Sequence, residues 1–119
     1  MYAIFTITAL EENITVKFIP GTFELPLAAQ TMFEKTKVDA VICLGSVIQG
    51  ETKHFDFVCE GAALGIKDVA LKYNKPTIFG VLTDNNEQQA IDRSGGKHGN
   101  KGDEAAVTAI KMVDFQQKL

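Results

Sequence analysis

Two short segments of the 119-residue chain concentrate the side chains that can move protons or bind anions. The first segment, Gly45 to His54, contains two glycines, a threonine and a histidine directly before a helical pattern. Free N–H groups at the start of a helix can bind an anion, and a histidine can exchange protons near neutral pH. The segment therefore predicts either an anion site with His54 as the proton-transfer residue, or an ordinary turn with a solvated histidine.

The second segment, Arg93 to Gly102, contains four glycines and four basic or titratable side chains. The guanidinium of Arg93 is a planar fork that suits phosphate, whereas Lys97 and Lys101 are point charges. The glycines allow the backbone to approach a ligand closely. This segment is the best candidate for an anion site, and the alternative is a solvated connection between two helices.

A third segment, Thr22 to Glu24, combines a hydroxyl, an aromatic ring and a carboxylate after Pro20 and Gly21. These groups can bind a flat heterocycle that forms hydrogen bonds. The alternative is the start of a helix with Phe23 in the core. Phe79 leaves the same choice open, between a ligand contact and an interior aromatic residue.

Composition limits the classes of function. The chain has 12 Lys and Arg against 15 Asp and Glu, a formal charge of −3 and a pI near 5.3. It therefore lacks the broad positive charge that nucleic acids and anionic membranes attract, and an anionic ligand needs a local site. The length of 119 residues predicts one domain, and the apolar content of 45% is enough for a core of its own. No apolar run approaches the ~18 residues of a membrane span, and the N-terminus lacks a basic signal region, so we expect a cytoplasmic protein.

The two cysteines, Cys43 and Cys59, do not have the spacing of a metal knuckle and are too few for a disulfide framework. We expect both to be buried thiols, and we expect no metal site.

Apolar runs alternate with helical patterns along the chain. The runs Ile14 to Ile19, Val38 to Leu44 and Pro76 to Leu82 are nearly continuous in apolar residues, which is typical of parallel strands covered on both faces. Helical patterns cover four ranges: Phe23 to Lys35, a helix capped by Asp56 that ends at Tyr73, Asn86 to Arg93, and Gly102 to the C-terminus. The order predicts an open α/β sandwich with ligands beyond the carboxyl ends of its strands.

Four blocks of this sequence together resemble the 6,7-dimethyl-8-ribityllumazine synthase family. The blocks are PGTFELP (Pro20 to Pro26), DAVICLGSVIQGETKHFDFV (Asp39 to Val58), KPTIFGVLT (Lys75 to Thr83) and QAIDRSGGKHGNKG (Gln89 to Gly102). The resemblance runs from about Asn13 to Leu119, and the order and spacing of the blocks make it specific.

The resemblance implies a three-layer α/β sandwich with a flavodoxin-like parallel sheet. It implies pentamers, in some members stacked or built into icosahedral shells, with active sites between neighbouring subunits. The reaction of the family condenses 5-amino-6-(D-ribitylamino)uracil with 3,4-dihydroxy-2-butanone 4-phosphate, without a metal or organic cofactor. Riboflavin synthase is a further candidate partner of such an enzyme.

By matching position, the resemblance also implies roles for individual residues. His54 takes the place of the proton donor, and Lys101 that of a basic residue near the substrates. Glu51, Thr52 and Arg93 would hold the butanone phosphate. The residues that would bind the ribitylaminouracil are Thr22, Phe23, Glu24, Ser46, Val47, Ile48 and Phe79.

The N-terminal region departs from the family pattern. We expect one domain over residues 1–119, with residues 1–12 an abbreviated N-terminal region. Tyr2 to Thr6 fits a first strand and Ile7 to Leu10 the start of a helix, but Glu11 follows at once. A parallel crossover needs at least ~10–12 residues, so either residues are omitted here or this region folds differently. The resemblance implies that an aromatic residue that stacks on the pyrimidine is lost with it.

Two other functional classes stay open on the sequence alone. A non-catalytic shell or scaffold protein would keep the assembly faces and lose the substrate pocket, which the shortened N-terminal region favours. A flavin-binding protein of the same fold would use the pocket for a related ring.

Overall fold

The computed structural model describes residues 11–119. The strand expected at Tyr2 to Thr6 and the helix start expected at Ile7 to Leu10 lie outside the described residues. The helices are α1 (Leu25–Lys35), α2 (His54–Tyr73), α3 (Glu87–Arg93) and α4 (Lys101–Gln117), and the strands are β1 (Val41–Ile48), β2 (Thr77–Asp84), β3 (Ser94–Gly96) and β4 (Gly99–Asn100). Two 3₁₀ turns, Glu11–Asn13 and Thr22–Glu24, precede α1.

Strands β1 and β2 pair in parallel over their whole length. The register runs from Val41 opposite Thr77 to Ile48 opposite Asp84. Both strands therefore end at the same edge of the sheet, and the segments that follow them begin side by side. This edge is where ligands bind in open α/β folds.

Helices cover both faces of this pair. On one face, α1 and α2 form a core with the strands, whose buried members are Leu25, Ala29, Phe33, Val41, Cys43, Ile66, Val69 and Val81. On the other face, α4 packs through small side chains, and the buried members are Ile42, Ala105, Ala106 and Ala109. The predicted α/β sandwich with a parallel sheet between helical layers is therefore confirmed. None of the helices in residues 11–119 is long and apolar enough to cross a membrane.

Glycine at two positions of α2 allows α1 and the Thr22–Glu24 turn before it to approach closely. A Cβ atom added at Gly65 would lie 2.5 Å from Cγ of Pro26, and one at Gly61 would lie 2.5 Å from Cε2 of Phe23. Pro26 is tolerated because it lies in the first turn of α1, where its missing N–H has no helical partner. Glycine on α2 thus fixes the position of the Thr22–Glu24 turn.

The second candidate segment folds as a small antiparallel hairpin rather than as an open connection. Strands β3 and β4 pair with each other, and Gly95 and Gly99 have φ values of 104° and 89°, which favour glycine. The Asn100 side chain then caps α4, because its Oδ1 accepts hydrogen bonds from the N–H groups of Gly102 at 2.8 Å and Asp103 at 3.2 Å. The hairpin and the Asn100 cap therefore fix where α4 begins.

One predicted strand is wrong, and so are the predicted bounds of β1 and the predicted start of α2. The run Ile14 to Ile19 forms no continuous strand, since only Phe18 is a bridge residue, and the Phe18 side chain is 74% exposed. Strand β1 begins three residues later than predicted and continues past Gly45, because each residue as far as Ile48 has a partner in β2. Helix α2 begins at His54 and not after Asp56, because the carbonyl of Lys53 already accepts the N–H of Asp56 at 3.0 Å.

We predict that Gly65→Ala destabilises the fold. The new methyl group meets the rigid Pro26 ring, and overpacking of this kind costs about 1–3 kcal/mol, which the better helix propensity of alanine offsets by ~1 kcal/mol. Urea denaturation should show a lower midpoint for Gly65→Ala. Gly50→Ala is the matched control, because a Cβ at Gly50 has no neighbour within 4 Å. Equal midpoints for Gly65→Ala and the parent chain would contradict this packing.

We also predict that the Cys43 thiol is inert in the folded chain. Burial raises the pKa of Cys43 to about 12, so the reactive thiolate is scarce at every pH below that value. In a Cys59→Ser background, iodoacetamide at pH 8 should leave Cys43 unmodified until the chain is unfolded. Burial and the nearby Asp56 also raise the pKa of Cys59, which is only half-buried. In a Cys43→Ser background, Cys59 should therefore react slowly but measurably. Equal reaction rates of Cys43 in the folded and the unfolded chain would contradict the prediction.

Candidate active site

The end of β1 supplies three of the predicted site residues. Ser46, Val47 and Ile48 belong to the strand, not to the loop after it, because they pair with the last residues of β2. The loop begins at Gln49, whose N–H donates to the carbonyl of Asp84 at 2.9 Å. Strand pairing therefore fixes the point from which the His54 segment leaves the sheet.

His54 is the first residue of α2 and is exposed. Its backbone N–H donates to Oγ1 of Thr52 at 3.3 Å, so the Thr52 hydroxyl stabilises the start of the helix. The 20-residue helix directs the positive end of its dipole toward this point. Thr52 and the exposed Glu51 flank the same end. The arrangement sets an imidazole at a position that favours a negatively charged group.

The Thr22–Glu24 turn packs against α2 and the start of α1. Thr22 is buried, whereas the Phe23 side chain is 57% exposed although one edge of its ring lies against Gly61. The alternative that placed Phe23 in the core is therefore wrong. Phe23 presents most of its ring to solvent, beside the N-terminal half of α2.

A pocket of about 560 Å³ lies between the end of β2, α3 and the hairpin. We call it the Arg93 pocket. Three predicted site residues line it: Phe79 from β2, Arg93 from the end of α3, and Lys101 from the start of α4. The remaining lining residues are Val81, Leu82, Thr83, Asp84, Asn85, Gln89, Asp92 and His98.

Charges of both signs meet in the Arg93 pocket. The Arg93 side chain is 59% exposed, and its Nε lies 3.7 Å from Oδ1 of the buried Asp84. The Lys101 ammonium lies 3.7 Å from Oε2 of Glu104. The cations are held by single, loose ion pairs, so they remain able to bind an anion, while the Phe79 ring provides an apolar wall.

The predicted residues therefore form two groups. The first, which we call the His54 group, takes its members from the Thr22–Glu24 turn, the end of β1 and the segment that leads into α2; they are Thr22, Phe23, Glu24, Ser46, Val47, Ile48, Glu51, Thr52 and His54. The second is Phe79, Arg93 and Lys101 in the Arg93 pocket. No member of the His54 group lines that pocket. The end of β1 does lie beside the pocket, because Ser46, Val47 and Ile48 pair with the lining residues Leu82, Thr83 and Asp84.

Sequence reasoning assigned no role to several residues of the Arg93 pocket. Asp84, Gln89 and His98 all line it. Asp84 lies two residues after the apolar run that ends at Leu82, and a charged residue so close to a buried strand is a signal that could have identified it. The backbone N–H of His98 donates to the carbonyl of Asp92 at 2.6 Å, a hairpin contact that the sequence does not reveal.

A larger cavity, of about 750 Å³, lies at the other end of the sheet. It is formed by the first residues of β1, the end of α4 and residues 13–15, and none of the predicted site residues lines it. We favour the Arg93 pocket as the candidate site, because the carboxyl ends of parallel strands are the usual place for a ligand. Within residues 11–119 there is also no group of three or more His, Cys, Asp and Glu side chains placed to hold a metal ion.

Known proteins were compared with the chain. The family model described as 6,7-dimethyl-8-ribityllumazine synthase matches residues 3–117. A protein of that name from Cytophaga hutchinsonii is 65% identical over 101 residues, which are 85% of this chain and 64% of the relative. One from Flavobacterium johnsoniae is 62% identical over 84% of this chain and 53% of the relative.

A third protein with the same name, from Bacteroides fragilis, is 52% identical over 93% of this chain and 78% of the relative. The first two relatives are longer proteins, of which the chain spans less than two thirds. The matched region nevertheless includes both the His54 group and the Arg93 pocket. The chain thus belongs to the 6,7-dimethyl-8-ribityllumazine synthase family.

Proposed function

We propose that the protein condenses 5-amino-6-(D-ribitylamino)uracil with 3,4-dihydroxy-2-butanone 4-phosphate to give 6,7-dimethyl-8-ribityllumazine, phosphate and water, the penultimate step of riboflavin biosynthesis. One observation carries the proposal. The region that matches the family contains a pocket lined by Arg93, Lys101 and Phe79 and, separately, a histidine at a helix start. The cations suit a phosphorylated substrate, the aromatic ring suits a flat heterocyclic substrate, and the histidine suits proton transfer.

In this proposal the phosphate of the butanone binds to Arg93, with Glu51 and Thr52 at the other side of the substrate. The guanidinium fork suits two phosphate oxygens. Lys101 adds positive charge nearby. The phosphate is therefore both the group by which the substrate is held and the group that leaves.

The flat uracil of the other substrate binds against Phe23 and Phe79. An aromatic face and polar groups together suit a flat ring that forms hydrogen bonds. The other residues that we propose for this substrate are Thr22, Glu24, Ser46, Val47 and Ile48.

His54 moves the protons. Imine formation between the amine and the ketone, elimination of phosphate and closure of the ring each need a proton at one atom and its removal from another. One exposed imidazole can serve all three steps. Alignment of the two substrates does the rest, and such proximity can lower a barrier by ~7–11 kcal/mol at most.

We further propose that the active site forms between two copies of the chain, in a pentamer or a larger assembly of pentamers. No member of the His54 group lines the Arg93 pocket, although the end of β1 pairs with pocket residues of β2, and this supports the proposal. So do large apolar side chains that stay exposed on the Thr22–Glu24 turn, α1 and α2: Phe23, Leu27, Phe57 and Leu64. Exposed apolar patches of this kind usually mark a protein interface.

Three further proposals accompany this activity. Residues 1–119 act as one domain, and the reaction takes place in the cytoplasm. Riboflavin synthase is the candidate partner, because it uses the product. Neither a purely structural shell protein nor a flavin-binding protein is favoured by any feature of residues 11–119.

We predict that His54→Ala lowers turnover roughly 10- to 10⁴-fold, because general acid–base catalysis contributes in this range. The lower end is expected, since amine–ketone condensation also proceeds spontaneously. Incubation of the chain with both substrates, followed by absorbance of the lumazine product, measures the rate. Lys67→Ala is the matched control, because Lys67 is an exposed residue of the same helix that pairs only with Asp68 among the described residues.

If His54→Ala has the same turnover as the parent chain, the proposed role of His54 is wrong. If the parent chain forms no product above the spontaneous rate, the enzyme proposal is wrong, and the scaffold alternative gains support. A stable complex of the parent chain with riboflavin, without turnover, would instead support the flavin-binding alternative.

A further inference from the structure

Asp84 is a buried acidic residue that no role described above uses. It ends β2, lines the Arg93 pocket and is only 7% exposed. Its Oδ1 lies 3.7 Å from Nε of Arg93, and its Oδ2 is buried with no hydrogen-bond partner among the described residues. A buried carboxylate oxygen without a partner is costly, so its presence calls for an explanation.

The geometry around Arg93 suggests the explanation. A guanidinium group has N–H donors along two edges of one plane. When a carboxylate faces the Nε side, the edge between the two terminal nitrogens stays free to bind a second group. Arg93 lines the pocket together with Lys101 and His98, so an anion there can use that edge.

The backbone of Asp84 is fixed on the sheet. Asp84 pairs with Ile48 across the strands, and its carbonyl accepts the N–H of Gln49 at 2.9 Å. A carboxylate on a strand is held more precisely than one on a loop. Asp84 is therefore a rigid point against which the longer, more exposed Arg93 side chain can be oriented.

We propose that Asp84 is a positioning residue that holds the Nε side of Arg93, so that the terminal nitrogens bind an anion in the Arg93 pocket. When the anion binds, Arg93 moves from the loose 3.7 Å pair to a charge-assisted hydrogen bond with Asp84. The unpartnered Oδ2 provides a second acceptor for the same guanidinium. The proposal rests on the proposed function only for the identity of the anion, the substrate phosphate.

Positioning and simple electrostatics predict opposite results. An acidic side chain beside an anion repels it, so removing the charge should strengthen anion binding. If Asp84 orients Arg93, removing its charge should weaken anion binding. Asp92 provides the matched control: it lines the same pocket, but its Oδ1 accepts a hydrogen bond from Nε2 of Gln88 at 2.8 Å, and it forms no ion pair with Arg93.

The experiment compares Asp84→Asn with Asp92→Asn, using inorganic phosphate as the probe in equilibrium dialysis at constant ionic strength. We expect Asp84→Asn to weaken phosphate binding by roughly 3- to 10-fold, within the usual range for residues coupled by direct contact. Asp92→Asn should leave binding unchanged or strengthen it. In an Arg93→Lys background, Asp84→Asn should have no further effect, because the group that it positions is gone.

Enzyme kinetics provides a second readout. Asp84→Asn should raise KM for the phosphorylated substrate and leave kcat close to the parent value, whereas general damage to the fold would lower kcat as well. If Asp84→Asn binds phosphate as well as or better than the parent, the inference is wrong while the proposed function stands. If the phosphate results are as expected but no lumazine forms, the proposed function is wrong while the inference stands.

If Asp84→Asn does not fold, a crystal structure of the parent chain with phosphate tests whether Asp84 positions Arg93. We expect an Arg93 Nε to Asp84 distance of ~2.7–2.9 Å, with the terminal nitrogens on the phosphate. An Arg93 side chain that leaves Asp84 to reach the phosphate would overturn the inference.

Discussion

The parallel pairing of β1 with β2 is the interaction on which the rest of this structure depends. Eight consecutive residue pairs set the register, and helices pack on both faces of the strand pair. Because the pairing is parallel, both strands end at one edge. That edge positions both the start of α2, with His54, and the Arg93 pocket. Asp84 contacts both: its carbonyl accepts the N–H of Gln49 in the segment that leads to His54, and its carboxylate faces Arg93.

This arrangement has a functional consequence. The end of β1 continues into α2, whereas α3 and the hairpin enclose the Arg93 pocket after β2. In the assembly that we propose, one chain presents two partial sites. In a closed ring of identical subunits, one face of each subunit contacts a different face of its neighbour. The His54 group of one subunit can then meet the Arg93 pocket of the next.

Much of the fold could be predicted from the sequence, because apolar runs and helical periodicity report burial directly. The parallel sheet, the helical layers and the proline in the first turn of α1 followed from such patterns. The ends of elements could not be predicted, because they depend on contacts between distant segments. Gly45 reads as the end of a strand, yet its pairing with Val81 keeps it inside β1. The site residues show the same limit: their types suggested anion binding and proton transfer, but the ion pair of Arg93 with Asp84 joins two elements and leaves no local pattern.

Subunit mixing tests the central claim, that each active site combines the His54 group of one copy with the Arg93 pocket of another. His54→Ala and Arg93→Ala chains, each of low activity, are refolded together in equal amounts, and the rate of lumazine formation is measured against each variant refolded alone. In mixed rings about a quarter of the interfaces combine an intact His54 with an intact Arg93, so the account predicts recovery of about a quarter of the parent rate. If both groups served a site within one chain, every site would carry a defect, and a mixture no more active than the separate variants would contradict the account.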